Sequence, residues 1–154
     1  MTLILMRHAK SDWSSDLKDI DRPLNRRGRE ASARLGQWLS KLGLWPDLAL
    51  ISSATRTRKT WARLAAPDTT KMLVLQDLYL ATPGQILKTV QDVSDAQRLL
   101  VLGHNPGIGE LAAWLADTPP AHPDFTRYPT GATTVFNLPA TPWEHIQPGS
   151  GQVE

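Results

Sequence analysis

Four consecutive apolar residues, Leu3-Ile4-Leu5-Met6, stand at the start of the chain, and comparable short runs recur at Leu48–Ile51, Met72–Leu75 and Leu99–Leu102. Each run is continuous rather than alternating, the pattern of parallel strands covered on both faces. Between the first two the apolar spacing changes to three and four: Asn25 as N-cap, then Ala31, Leu35, Trp38, Leu39 and Leu42, then Gly43 as a stop, predict a helix. Further helices fit residues 54–66, 84–93 and 106–117, with Ser53 as a cap for the first of these and Asn105-Pro106 as cap and opening residue of the last. Strand and helix alternate four times, which predicts an α/β domain of three layers with a mostly parallel central sheet.

After Pro119-Pro120 the pattern changes. Thr133–Leu138 is rich in β-branched and aromatic residues and predicts a further strand, antiparallel at an edge, with Trp143–Ile146 a weaker candidate. Residues 148–154 are expected to be loose. Trp38, Trp61 and Trp114 fall at core-facing helical positions, whereas Trp13 lies in a loop. No repeat or interdomain linker is visible, so residues 1–154 form one domain.

Composition narrows the function classes. A chain of 154 residues, 41% hydrophobic, can bury one sizeable core. No apolar run approaches the roughly 20 residues of a membrane span, and no signal-peptide pattern is present, so a cytoplasmic protein without a membrane partner is expected. The absence of cysteine excludes disulfides and thiol catalysis. Seventeen basic against fifteen acidic residues leave a net charge of +2. The cations are scattered rather than striped, which argues against a nucleic-acid partner. Arg26, Arg27 and Arg29 read as a solvated first helical turn.

Ligands of open parallel sheets bind beyond the carboxyl ends of the strands, so the residues that follow each apolar run carry the chemistry. The first run delivers Arg7-His8, the second Arg56 in the opening turn of a helix, the third Asp77, and the fourth His104 just before a helix. An arginine at a helix N-terminus is disfavoured by the dipole unless an anion is held there. Two such cationic forks with free helix N–H groups make a phosphate-sized receptor, and an imidazole beside it can attack phosphorus. Arg56 has no obvious core partner in the sequence.

The segments LILMRHAKSDW, DRPLNRRGRE, SSATRTRKT and LGHNPGIGELA, taken together and in this order, resemble the histidine phosphatase superfamily in its short SixA-type phosphohistidine phosphatase branch. The resemblance covers residues 3 to about 138. Ala9 stands where most members of the wider superfamily have glycine. The resemblance implies that His8 is a nucleophile carrying the phosphoryl group covalently, that Arg7 and Arg56 hold the nonbridging oxygens, and that His104 donates to the same oxygens. A neutral His8 would need one nitrogen facing the phosphate and the other donating to a fixed acceptor such as a backbone carbonyl.

Asp77 is the candidate proton donor or else a strand-end carboxylate that merely caps. Arg22 is either a third phosphate cation or a partner of Asp19 or Asp21, and Trp13 either a wall of the site or loop packing. Asn105 is a substrate-binding candidate. No metal or other cofactor is implied, because His8 and His104 lie far apart in the chain and no carboxylates cluster. Some superfamily members carry a long insertion over the site. Here residues 57–103 are already filled by helices and a strand, so an open groove is expected. It would take a phosphohistidine-bearing protein partner, which sets a small-molecule or sugar phosphate phosphatase as one alternative and a non-catalytic phosphate-binding module as another.

Overall fold

In a computed structural model describing residues 1–154, the four apolar runs form β1 (Thr2–Arg7), β2 (Leu48–Ser52), β3 (Lys71–Leu75) and β4 (Arg98–Gly103). Between and after them lie α1 (Arg26–Lys41), α2 (Thr55–Leu64), α3 (Pro83–Gln91), α4 (Gly107–Leu115) and the short α5 (Pro123–Arg127). Two further strands, β5 (Thr133–Asn137) and β6 (Gln152–Val153), complete one sheet in the order β3-β2-β4-β1-β5-β6. The first four strands pair in parallel and the last two antiparallel.

Continuity of the apolar runs has its expected cause, since alternate side chains of one strand enter two different cores. Leu3 and Leu5 of β1, with Leu50, Leu99 and Val101, pack against Ile86 and Val90 of α3 and Ile108 and Leu111 of α4. Ile4 and Met6, with Ala49, Ile51, Leu100 and Leu102, pack on the other face with Leu39 of α1 and Leu64 of α2. Asn25 caps α1 by accepting from the Gly28 amide at 2.8 Å, and Gly43 leaves the helix at φ +65°.

Several expectations need correction. β3 is an edge strand with no neighbour beyond it, so Met72, Leu73 and Val74 are exposed rather than covered on both faces. Trp38 and Trp114 are also exposed, so that of the three tryptophans expected in the core only Trp61 packs against one. The buried stripe of α1 is Gly28, Ser32, Gly36 and Leu39, and the first three are small enough to bring this helix so close to its neighbours that the larger Trp38 is left at the rim. Trp143–His145 is a 3-10 turn rather than a strand, and the Trp143 indole donates to the Ala96 carbonyl. β5 is antiparallel as expected but lies beside β1, with β6 outside it. The terminal segment expected to be loose is therefore part of the sheet. Its docking depends on Gly151, whose amide donates to the Leu115 carbonyl and where any Cβ would meet the Phe136 ring at 2.7 Å.

The close approach of α1 to α2 makes a test of the packing. A Cβ at Gly36 would sit 2.0 Å from the Leu64 carbonyl oxygen, which is backbone and cannot swing aside. Glycine to alanine inside an exposed helix stabilises by about 1 kcal/mol, but here overpacking prevails at about 1–3 kcal/mol. Gly36→Ala should lower the urea unfolding midpoint. A raised midpoint would show that the helices are not in this contact.

Candidate active site

Register assembles the site. β1 pairs with β4 so that Arg7 faces Gly103, and β2 pairs with β4 so that Ile51 faces Leu102. His8 and His104 thus each follow immediately on a paired strand end, with ring centroids 5.2 Å apart, while Ser52 ends the neighbouring strand. Arg56 stands in the first turn of α2. Arg7, His8, Arg56 and His104 line one pocket of about 240 Å³ together with Arg22, Trp13 and Asn105.

His8 Nδ1 lies 2.7 Å from the Ala9 carbonyl oxygen. A carbonyl only accepts, so Nδ1 carries the proton and Nε2 keeps its lone pair. That lone pair receives the Arg56 Nε–H at 3.3 Å, a long bond for which a phosphoryl oxygen can compete. Burial first, and then the charges of Arg56, Arg7 and Arg22, push the His8 imidazole down to about 4. His104 is pushed to about 3, by burial foremost and then by His8 and Arg56. His104 Nε2 is 2.7 Å from the Ser52 hydroxyl, which also accepts a long contact from the Ala54 amide. With the Ser52 O–H donated to Nε2, the proton of the neutral ring sits on Nδ1. That nitrogen is buried and has no partner within the protein.

Arg56 is only 3% exposed and is extensively partnered, contrary to expectation: it donates to the Asp19 carbonyl at 2.8 Å and to the Asp19 carboxylate at 3.1 Å. Arg22 pairs with Asp19 at 2.9 Å, the second of its readings, and donates to the Ser11 hydroxyl while lining the pocket. Trp13 lines the pocket with its ring stacked on the Arg22 guanidinium, whose Cζ is 3.5 Å from the ring centroid. Arg7 donates to the Tyr128 carbonyl. Asn105 does not cap α4. Its amide donates to the carbonyls of Arg127 and Tyr128, and Pro106 occupies the cap position. Ser53 likewise leaves the cap of α2 to Ala54 and bonds Gln76.

Asp77 is the one candidate that the fold takes elsewhere. The chain leaves β3 through a 3-10 turn, Gln76–Leu78, which leaves Asp77 exposed and lining a different groove beneath the sheet edge. That groove is larger, about 540 Å³, but no arginine or histidine lines it, whereas three arginines and two histidines line the smaller pocket. The carboxylate that joins the site's hydrogen-bond network is Asp19, to which Tyr79 donates at 2.5 Å. The Tyr79 hydrogen bond, and after it those of Arg22 and Arg56, hold the Asp19 carboxyl far below the usual range. It is an ionised clamp rather than a proton donor.

The sequence offers Asp19 only as a partner for Arg22, and gives Ser52 and Tyr79 no role. For Ser52 a signal exists, since it ends an apolar run next to the one that delivers His104. For Tyr79 there is none. Lys10, Ser11, Leu80 and Thr130 also line the pocket.

The model of the histidine phosphatase superfamily (branch 1) matches residues 3–79. An uncharacterised protein of Mycobacterium tuberculosis (strain ATCC 25618 / H37Rv) is 34% identical over 150 residues, covering 94% of this chain and 93% of its own. Among solved structures, a protein of Nakamurella multipartitia provisionally named phosphohistidine phosphatase SixA superposes with a TM-score of 0.84 at 29% identity, over 99% of this chain and 92% of the other. One from Agrobacterium tumefaciens, named in the same provisional way, gives 0.77 at 25% identity, over 89% and 91%. The chain belongs to the histidine phosphatase superfamily, and its structural neighbours place it with the SixA-type branch. No helix is long and apolar enough to cross a membrane.

The two depressed histidines give the fold a pH signature. Each binds fewer protons folded than unfolded between its folded value and about 6.5. Stability from keeping them neutral is complete above about pH 6.5 and is lost as pH falls toward 4. The urea midpoint should decline across that window, and imidazole NMR signals of His8 and His104 should not titrate above pH 5. A midpoint near 6 for either ring would contradict the assignment.

Proposed function

We propose that the protein hydrolyses phosphohistidine on a protein partner through a covalent phosphohistidine on His8. The site supports this step by step. Arg7, Arg56 and His104 Nδ1–H surround the space next to His8 Nε2 and can hold the three nonbridging oxygens, stabilising charge as it spreads in the transition state. Nε2 attacks phosphorus in line, the bond to the leaving nitrogen breaks, and the phosphoryl group passes to His8. Water then attacks phosphorus, breaks the bond to Nε2 and releases phosphate. Arg22, held by Asp19 beside the same pocket, adds a third cation. In this scheme the arginines supply the charge that a divalent cation supplies elsewhere, with no metal or other cofactor required.

The observation that carries the choice of substrate is the lack of a carboxylic acid at the pocket. Asp77 lies outside it, and Asp19 is held ionised by Tyr79 and two arginines. A sugar or alkyl phosphate leaves as an alkoxide and needs a donor. An imidazole leaving group carries its own basic nitrogen, which water can protonate before the P–N bond breaks. The names of the two SixA neighbours agree with this reading.

Mixing the enzyme with a labelled phosphohistidine peptide and quenching during turnover should reveal one acid-labile, base-stable phosphate, on the peptide containing His8. His8→Ala should abolish turnover, and Arg56→Ala should lower it about 10²–10³-fold, as loss of one charge-stabilising donor does. Turnover retained in His8→Ala would overturn the mechanism. A tenfold better kcat/KM for a sugar phosphate would replace the substrate.

A further inference from the structure

The floor of the pocket is cationic, but part of its rim is apolar. Trp13 is 73% exposed and Leu80 is 55% exposed, and both line the pocket that contains His8. One face of the Trp13 ring rests on the Arg22 guanidinium, which Asp19 and Ser11 hold in turn. The indole plane is thereby fixed while most of its surface remains open. Leu80 has φ +51°, in the left-handed region that a leucine seldom adopts. Its neighbours impose this. The Tyr79 hydroxyl is tied to Asp19, and the Ala81 carbonyl packs so tightly on Gly107 that a Cβ there would come within 1.9 Å. Leu80 is thus pinned from both sides, with its side chain on the rim of the pocket rather than in the core.

Large apolar side chains held open to water beside a polar site mark a binding surface. Part of the hydrogen-bonding capacity of the same pocket is committed to the fold. None of its eleven lining residues is a carboxylate, the Ser11 hydroxyl accepts from Arg22, and the Asn105 amide donates to two backbone carbonyls. At the rim a flat apolar ring would find an indole face and a leucine.

We propose that Trp13 and Leu80 are specificity determinants that select a phosphoryl group carried on a planar ring, the ring lying on the free face of Trp13 with Leu80 against it. This rests on the phosphatase reading above and adds what recognises the leaving group. An imidazole and a phenol share the required chemistry, so phosphohistidine and phosphotyrosine side chains are the two sources.

Calorimetric Kd values for phenyl-, cyclohexyl- and methylphosphonate test the idea without any leaving-group reactivity. Phenylphosphonate should bind about tenfold tighter than methylphosphonate, the size of effect that aromatic stacking supplies, and severalfold tighter than cyclohexylphosphonate. Trp13→Ala should bring the phenyl-to-methyl ratio close to one, Trp13→Phe should keep most of it, and Leu80→Ser should reduce it. Any disturbance of Arg22 falls on the phosphonate common to all three ligands and cancels in the ratio. Equal binding of the phenyl and cyclohexyl compounds, or a ratio unchanged in Trp13→Ala, would overturn the proposal. Ring selectivity in a protein that turns over no phosphorylated substrate would instead defeat the phosphatase reading alone. Comparing phosphohistidine and phosphotyrosine peptides then identifies the ring, as the one whose kcat/KM is higher in wild type and drops in Trp13→Ala.

Discussion

Everything at the site depends on the pairing of β1 with β4 in a register that sets Arg7 opposite Gly103. One residue further on, His8 and His104 emerge side by side from two parallel strands at the centre of the sheet. Both strands are buried on both faces, so sliding either by one residue would exchange the two cores and cost most of the apolar packing. The geometry of the site is thus guarded by the hydrophobic effect, which is the largest favourable term in the fold. The price of that rigidity is desolvation, and it explains why both imidazoles stay neutral.

Desolvation and charge work together. An imidazolium beside Arg7, Arg22 and Arg56 would be repelled by all three, while a neutral ring keeps the lone pair that the proposed attack on phosphorus requires. The arginines repel one another as well, and Asp19 offsets this by accepting from Arg22 and Arg56 at once. Tyr79 anchors that carboxylate from the loop after β3, so two loops and the first turn of α2 are tied through one side chain. The same tie sets the backbone at Leu80 and, through Arg22, the plane of Trp13. Charge balance at the floor and shape at the rim are consequences of one network.

Much of this was legible in the sequence. Short continuous apolar runs locate strands because two-sided burial leaves no polar alternation, and the residues just beyond them then fall at the ligand end of the sheet. Arg7, His8, Arg56 and His104 were found in this way. The failures share a cause too. Asp77 also follows a strand, but β3 is the edge and the chain turns away from the pocket. Asp19 and Tyr79 meet through loops whose path no local pattern encodes. Trp38 matched the helical period, yet Gly28, Ser32 and Gly36 took the interface because small residues allow the closer approach. The terminal segment carried loop-like glycines, and one of them, Gly151, is what lets it dock.

The central claim is that four side chains from three strand ends form one receptor for a phosphoryl group in line with His8 Nε2. A crystal structure with vanadate or tungstate bound tests it most directly. The account predicts the oxyanion within hydrogen-bond distance of Arg7, Arg56 and His104 Nδ1, with His8 Nε2 approaching the metal atom from the apical direction. An anion seated instead in the groove beneath β3, or one held with His8 Nε2 turned away, would contradict it.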